Sequence, residues 1–459
     1  MTDVMILAAG LGTRMKSNRA KVLHQLGGRP LISYPVRAAL ELDPRNLLVI
    51  TGHQAAEVEA AVRDEFDAFD GNGQTNLTFV RQTEQRGTGH AVLSARGALT
   101  GTKGPLVIIA GDSPMLKSAT FSKLVESHQT EGAAATFLTA MLEDPTGYGR
   151  IVRDREGRFV RNVEQKDATE AERKIQEVNV SVYCFDTPAL LGALGSLTTD
   201  NAQGEYYLTD VPQMLSSASN KVTALLHNDP EEVMGINSRL DLAEAERKLR
   251  EHKLQDLMLA GVTLIDPATT YIDQEVEIGR DTVLHPQVII EGKSSIGAGC
   301  TIQSWTRLKD VHIGDNVTIK NCSVVEDSDI ADRAAIGPFA RIRMQAEIGE
   351  SVVIGNFVEV KKSKIGRKTK AQHLAYLGDA TLGENVNIGA GTITCNYDGE
   401  RKHQTIIEDD VKIGSDTMLV APVSVGRGSK TGAGSVITKN VPPDSLAVGV
   451  PAVIKKKLR

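Results

Sequence analysis

Residues 330–355 read Ile330-Ala331-Asp332-Arg333-Ala334-Ala335-Ile336-Gly337-Pro338-Phe339-Ala340-Arg341-Ile342-Arg343-Met344-Gln345-Ala346-Glu347-Ile348-Gly349-Glu350-Ser351-Val352-Val353-Ile354-Gly355. Isoleucine returns every six residues, and glycine follows Ile336, Ile348 and Ile354. This is the signature of a hexapeptide-repeat solenoid. Each hexapeptide supplies one short strand and one turn, with the aliphatic side chain pointing inward and glycine easing the corner. Three hexapeptides close a triangular coil, and successive coils hydrogen-bond at about 4.8 Å.

The period extends in both directions. Upstream it is carried by Ile278, Leu284, Ile290, Ile296, Ile302 and Leu308, then by Ile313, Ile319 and Val325, with a one-residue contraction before Ile313 and another before Ile330. Downstream, Val360, Ile365, Ala371, Leu377, Leu382, Ile388 and Thr394 continue it, and Ile407, Ile413, Leu419, Val425, Thr431 and Ile437 close it. At about 18 residues per coil the run makes roughly nine coils. The break from Cys395 to Ile406 is expected to leave the prism as a loop, and such insertions often build a binding face.

The N-terminal half has another texture. Val4–Leu7, Leu47–Thr51, Leu77–Arg81 and Leu106–Ala110 read as buried strands. Leu31–Leu42, Gln54–Phe66 and Gly89–Leu99 read as helices between them. The alternation predicts an α/β domain with a mostly parallel sheet, whose ligand site lies past the carboxyl ends of the strands. Arg239 to Gly261 reads as a charged connecting helix, with acids early and bases late as the helix dipole favours. The expected division is therefore residues 1–228, a linker at 229–262, and a repeat domain at 263–459.

Bulk properties narrow the class. A chain of 459 residues, 41% hydrophobic and 24% charged with a formal charge of −6, fits soluble multidomain protein without general affinity for nucleic acid. Four cysteines without Cys-x-x-Cys spacing suit a reducing compartment and give no zinc motif. The opening segment lacks a basic signal-peptide region, and no apolar run approaches the ~20 residues of a membrane span, so a cytoplasmic location is expected. The basic tail Lys455 to Arg459 reads first as a solvated terminus, with contact to a phosphate-bearing ligand as the alternative.

After the first strand comes Leu7-Ala8-Ala9-Gly10-Leu11-Gly12-Thr13-Arg14-Met15, with Lys21 beyond. Met15 excludes the dinucleotide fingerprint, and the only Gly-Lys-Ser, at Gly292, lacks the upstream glycine of a P-loop. A glycine-rich strand-to-loop turn still presents N–H groups to phosphate, and Arg14 and Lys21 add the positive charge a triphosphate needs before an anion can attack it. In the repeat domain, amide formation from a thioester needs a base to free the amine, and histidine suits that task. His285, His312, His373 and His403 are available, and His373 lies two residues past an inward position, where it can project from the prism.

These motifs carry a family resemblance. The opening, Gln82, Gly87-Thr88-Gly89-His90-Ala91, Gly111-Asp112, Gly147-Tyr148-Gly149-Arg150, Glu164, Asn179, Asn201 to Tyr207 and Asn237 occur in the order seen in sugar-phosphate nucleotidyltransferases. Lys370-Ala371-Gln372-His373-Leu374-Ala375-Tyr376-Leu377-Gly378-Asp379, Asn385 to Gly391 and Asn396-Tyr397-Asp398-Gly399 follow. Over nearly its whole length the chain resembles the bacterial bifunctional N-acetylglucosamine-1-phosphate uridylyltransferase/glucosamine-1-phosphate acetyltransferases.

The resemblance implies a Rossmann-like nucleotidyltransferase domain and a left-handed parallel β-helix. The left hand comes from the resemblance alone, since connection rules favour the right. It implies that Leu7, Ala8, Ala9, Gly10, Gln82, Gly87 and Thr88 hold uracil and ribose, that Arg14 and Lys21 act on the phosphates, and that Ala110, Gly111 and Asp112 belong to the same nucleotide- and sugar-binding site. Asp112 and Asn237 would ligate Mg²⁺, and Gly149, Glu164 and Asn179 would hold the amino sugar. His373 would be the acetyl-transfer base, with Arg343, Lys361, Tyr376, Asn387 and Lys402 at the sugar phosphate and Ala390, Asn396, Tyr397, Ser415 and Ala433 at acetyl-CoA. The co-substrates would be UTP, acetyl-CoA, glucosamine 1-phosphate and N-acetylglucosamine 1-phosphate, and the assembly a homotrimer with no membrane partner. The chain departs from the family pattern at Ala20, where proline is usual, at Ala110, where an aromatic is common, and at Ala447 to Pro451, which lacks an arginine. The competing reading is a single-activity sugar-nucleotide pyrophosphorylase with a structural β-helix; His373 and the Asn396–Tyr397 insert discriminate against it, because a structural solenoid needs neither.

Overall fold

Alternate residues of the first strand, Asp3–Leu7, feed different cores: Val4 and Ile6 pack on one face of a sheet and Met5 on the other, all fully buried. Burial on both faces is why such strands read as unbroken apolar runs. The computed structural model describes residues 2–69 and 73–457, which form two units meeting between Arg247 and Lys248.

In the first unit the sheet runs Val222–His227, Ala135–Met141, Glu177–Asp186, Pro105–Ala110, Asp3–Leu7, Asn46–Thr51, Asn76–Arg81. Asp3–Leu7 is parallel to both neighbours, while Glu177–Asp186 runs antiparallel to Pro105–Ala110 and Ala135–Met141. The hairpin of Gly149–Arg153 and Phe159–Val163 joins at Glu177–Asp186. The order reverses beside Asp3–Leu7, which makes a topological switch point. Leu7 pairs with both Ile50 and Ala110, so the loops after Leu7 and Ala110 leave the sheet side by side.

The four anticipated strands each gain one residue at the start. The helices come out as Ser33–Leu40 and Ala55–Phe69, and the expected third helix breaks at Ala95 into Thr88–Ser94 and Arg96–Leu99. Residues 229–237, read as the start of the linker, lie in this unit, with Val233 in its core. The charged helix spans Arg239–Leu259.

The second unit is a parallel β-helix. Its inward aliphatic column, including Leu284, Ile290, Ile302, Leu308, Ile319, Ile336, Ile342 and Ile354, is fully buried, and each side chain contributes about 1.5–3 kcal/mol relative to exposure. The contractions appear in the register. Ile289 pairs with Arg307, 18 residues on, but Ser295 pairs with His312, only 17 on. The insert lengthens one coil, so that Ala380 pairs with Thr405 and Glu384 N–H reaches Asp409 across 25 residues. The segment after Cys395 leaves the prism and closes on itself through a Tyr397–Lys402 bridge and the Asp398 carboxylate, which accepts from the Glu400 and Arg401 N–H groups. At the C-terminal end, Ser445–Gly449 and Ala452–Lys457 form an antiparallel pair with Lys455 to Lys457 exposed. Leu458 and Arg459 of the basic tail lie outside the described residues.

Candidate functional sites

A cavity of about 560 Å³ opens at the switch point of the first unit, within the range of small-molecule sites. Leu7, Ala8, Ala9, Gly10, Arg14, Lys21, Gln82, Gly87, Thr88, Ala110, Asp112, Gly149, Glu164, Asn179 and Asn237 all line it. Gly111 does not. Its N–H donates to the Leu7 carbonyl at 2.9 Å, and an added Cβ would meet Ile32 Cδ1 at 2.9 Å, so it shapes the wall from behind.

At one end the Lys21 ammonium is bonded to Asp112 and donates to Asn237 Oδ1 at 3.1 Å, which also accepts from Arg14 at 2.8 Å. Asn237 is held by its own N–H on Asp241, at 2.9 Å, and Ile236 N–H reaches the Asp112 carbonyl at 2.9 Å. Two oxygen donors thus face one cationic centre, a donor set that suits Mg²⁺. Among the described residues no group of three or more His, Cys, Asp or Glu could hold a metal unaided, so phosphate and water would complete the shell. Ala20, where proline is usual, donates its N–H to Gln54 Oε1 at 2.6 Å, a bond proline could not make.

Gln82 donates to the Gly87 carbonyl at 3.1 Å. Gly87 sits at φ 101°, and a Cβ there would lie 2.6 Å from the Tyr206 carbonyl oxygen, so only glycine fits. At the far end, burial pushes the Glu164 carboxyl above its ordinary range, opposed by hydrogen bonds from Thr209 at 2.9 Å and Asn162 at 3.2 Å. Asp210, half-buried, is pushed up to about 6, by partial desolvation first and then by repulsion from Glu164 and Asp167. The Asn179 side-chain oxygen accepts from Ser181 N–H and the Tyr183 hydroxyl, while its buried amide nitrogen has no partner. Thr209 and Tyr148 also line the cavity, although sequence reasoning did not assign them a role.

In the second unit the candidates divide between faces of the prism. His373 ends the strand Lys370–His373, is exposed, and pairs its Nδ1 with Asn356 Oδ1 at 3.2 Å. Asn387 lies in the next coil of that sheet, opposite Lys370. Ala390, Ser415 and Ala433 occupy equivalent positions in successive coils, following the Ile388–Ile413 and Lys412–Lys430 pairings.

The other sheet carries Arg343, Lys361 and Tyr376. Arg343 donates to Glu359 at 2.7 Å. Lys361 is 6% exposed, with its ammonium 3.9 Å from Asp379. Asn396 bridges Asp379 at 2.6 Å and the Tyr376 hydroxyl at 3.4 Å, whereas Tyr397 is 60% exposed. The Lys361 ammonium beside Lys402 lowers the Lys402 pKa, because like charges disfavour the protonated form. A cavity of about 380 Å³ beside Lys402 is lined by Lys362, Lys364, His403 and Gln404 among others, not by His373.

Comparisons with known proteins separate the same two parts of the chain. The nucleotidyl transferase family profile matches residues 3–233, and the bacterial transferase hexapeptide profile matches residues 404–439. The bifunctional protein GlmU of Geotalea uraniireducens is 50% identical over 453 residues, covering 99% of this chain and 97% of that protein. That of Trichlorobacter lovleyi is 47% identical, covering 98% and 95% respectively, and that of a Geobacillus species is 46% identical, covering 99% and 96%. Cavity, repeat and full-length similarity lead to one conclusion: the chain belongs to the GlmU family of bifunctional proteins, pairing a uridylyltransferase with a hexapeptide-repeat acetyltransferase.

Proposed function

We propose that the second unit acetylates glucosamine 1-phosphate from acetyl-CoA, and that the first then joins N-acetylglucosamine 1-phosphate to UTP, giving UDP-N-acetylglucosamine and pyrophosphate. The observation that carries this assignment is the meeting of Arg14, Lys21, Asp112 and Asn237 in one cavity with Gly87–Thr88 and Glu164–Asn179. In the uridylyl site a sugar-phosphate oxygen attacks the α-phosphorus of UTP, and the bond to the β-phosphate oxygen breaks. Arg14 and Lys21 screen the phosphates' charge, and no enzyme nucleophile is needed. Asp112 and Asn237 would hold Mg²⁺, whose charge would neutralise phosphate oxygens. The unmatched Asn179 amide, Gly149 and Glu164 hold the amino sugar.

For acetyl transfer, His373 takes the proton from the amine as it attacks the thioester carbonyl, the C–S bond breaks, and the coenzyme leaves as its thiol with that proton; Arg343, Lys361, Tyr376, Asn387 and Lys402 bind the sugar phosphate. Ala390, Asn396, Tyr397, Ser415 and Ala433 line the coenzyme path. Division of these residues between two prism faces favours a homotrimer, in which a neighbouring copy completes the site. A corner ridge supports that reading: Trp305, Phe339, Phe357 and Leu374, all at positive φ, are 50–61% exposed, and the Phe339 and Phe357 rings stack at 5.3 Å. A row of bulky apolar side chains this exposed suits burial against another copy. Leu374 adjoins His373, so a copy seated there would reach the base. A cytoplasmic setting accords with the four free cysteines; no helix among the described residues is long and apolar enough to cross a membrane.

The test is to supply glucosamine 1-phosphate, acetyl-CoA, UTP and Mg²⁺ and follow free thiol and pyrophosphate separately. Thiol release should precede pyrophosphate release. Thiol release without acetylation of the amine would overturn the proposal.

A further inference from the structure

The segment Tyr206 to Thr209 touches both ends of the first cavity. At the nucleotide end, Gly89 N–H donates to the Tyr206 carbonyl at 2.7 Å, and Tyr206 N–H donates to Arg86 at 2.8 Å. Leu208 N–H donates to the Thr88 hydroxyl at 3.1 Å. The Tyr206 ring stacks on His90 at 6.2 Å and lies under the Arg86 guanidinium at 5.2 Å. At the sugar end, the Thr209 hydroxyl donates to Glu164 Oε1 at 2.9 Å. Thr209 is 8% exposed, so water cannot readily replace that donor. A short helical turn, Leu208–Asp210, fixes the distance between the two contacts.

We infer that this segment is a strap coupling the nucleotide loop Arg86–Gly89 to the carboxylate of Glu164, and that Thr209 is the positioning residue at its sugar end. The inference rests on the reading that Gly87–Thr88 contact the nucleotide and Glu164 the amino sugar. One Glu164 oxygen is occupied by Thr209 and Asn162, which leaves the other for a sugar hydroxyl or amide. Nucleotide bound against Gly87–Thr88 braces the strap and so fixes the carboxylate. Such coupling is reciprocal, so each ligand tightens the other.

The experiment is calorimetric binding of N-acetylglucosamine 1-phosphate to the full chain with Mg²⁺, with and without a UTP analogue carrying a methylene between the α- and β-phosphorus. The analogue should tighten sugar-phosphate binding to the native protein by roughly 5- to 100-fold. Thr209→Val should lose most of that gain while still binding the analogue, and Thr209→Ser should retain it. In turnover, Thr209→Val should raise KM for the sugar phosphate more than it lowers kcat. Its acidic limb should move to higher pH, because a donor favouring the ionised carboxylate is gone. Unchanged acetyl transfer confirms a folded chain.

If Thr209→Val showed the native gain and the native pH profile, the strap would be refuted. Glu164→Gln separates the two readings. If it weakens sugar-phosphate binding while Thr209→Val does not, only the strap fails. If neither substitution matters, the assignment of Glu164 to the sugar fails as well.

Discussion

Asn356→Ala isolates the one side-chain hydrogen bond that His373 makes among the described residues. The pair is a single hydrogen bond, 3.2 Å from His373 Nδ1 to Asn356 Oδ1. If Nδ1 carries the proton, Nε2 is left with the lone pair that a general base needs. The strand pairing of Asn356 with His373 and the Leu374 N–H bond to the Asn356 carbonyl are backbone features, which the substitution leaves in place. Loss of one neutral hydrogen bond costs about 0.5–1.5 kcal/mol, so kcat for acetyl transfer should fall roughly 2- to 10-fold. The assay is thiol release from acetyl-CoA with saturating glucosamine 1-phosphate across pH, with pyrophosphate release from the other site as a fold control. Asn356→Asp sharpens the test. A carboxylate beside the ring favours imidazolium, so the acidic limb should shift to higher pH and the rate near neutrality should drop. A native kcat in Asn356→Ala, together with an unshifted limb in Asn356→Asp, would refute the orienting role.

His373→Ala should abolish acetyl transfer and spare uridylyl transfer, and Asp112→Ala should do the reverse; either substitution removing both activities from a folded chain would contradict two separate sites. Gly149→Ala places a Cβ 2.6 Å from Asn162 Oδ1. Because Asn162 donates to Glu164, KM for N-acetylglucosamine 1-phosphate should rise on the order of tenfold, as overpacking of 1–3 kcal/mol implies, and steady-state kinetics would show it. Asp210 is an acid whose folded pKa, about 6, exceeds its ordinary value of about 4. The folded state therefore binds more protons between those values, and stability from this group falls as pH rises through that window. Asp210→Asn should accordingly raise the first unit's melting temperature more at pH 8 than at pH 4, measured by calorimetry; equal shifts at both would contradict the burial argument.

The β-helix was legible because its signal is local and repeated: Ile330, Ile336, Ile342, Ile348 and Ile354 each mark one strand, and even the shortened coils and the 395–406 insert leave a trace in the spacing. The four leading strands were legible for a similar reason, since burial on both faces demands continuous apolar residues. The break in the third helix is not legible in the sequence, because apolar periodicity continues through Ala95 while the helix divides there into Thr88–Ser94 and Arg96–Leu99. Gly111 lies in a site motif and stands beside the cavity, against Ile32 and the Leu7 carbonyl, because a motif does not say which way each residue of a loop faces.

What the amino-acid order determined alone was the period, the two-part architecture and, through its ordered motifs, the family. Tertiary structure decided which distant groups meet. Lys21 and Asp112 lie 91 residues apart and Lys21 and Asn237 216 apart, and only the parallel register of Leu7 with Ala110 and the return of residues 229–237 bring them together. Thr209 and Asn356 carry no motif, because a hydroxyl or amide gains its role from the group it faces. That neighbour is set by coil spacing and sheet order, which no local stretch encodes.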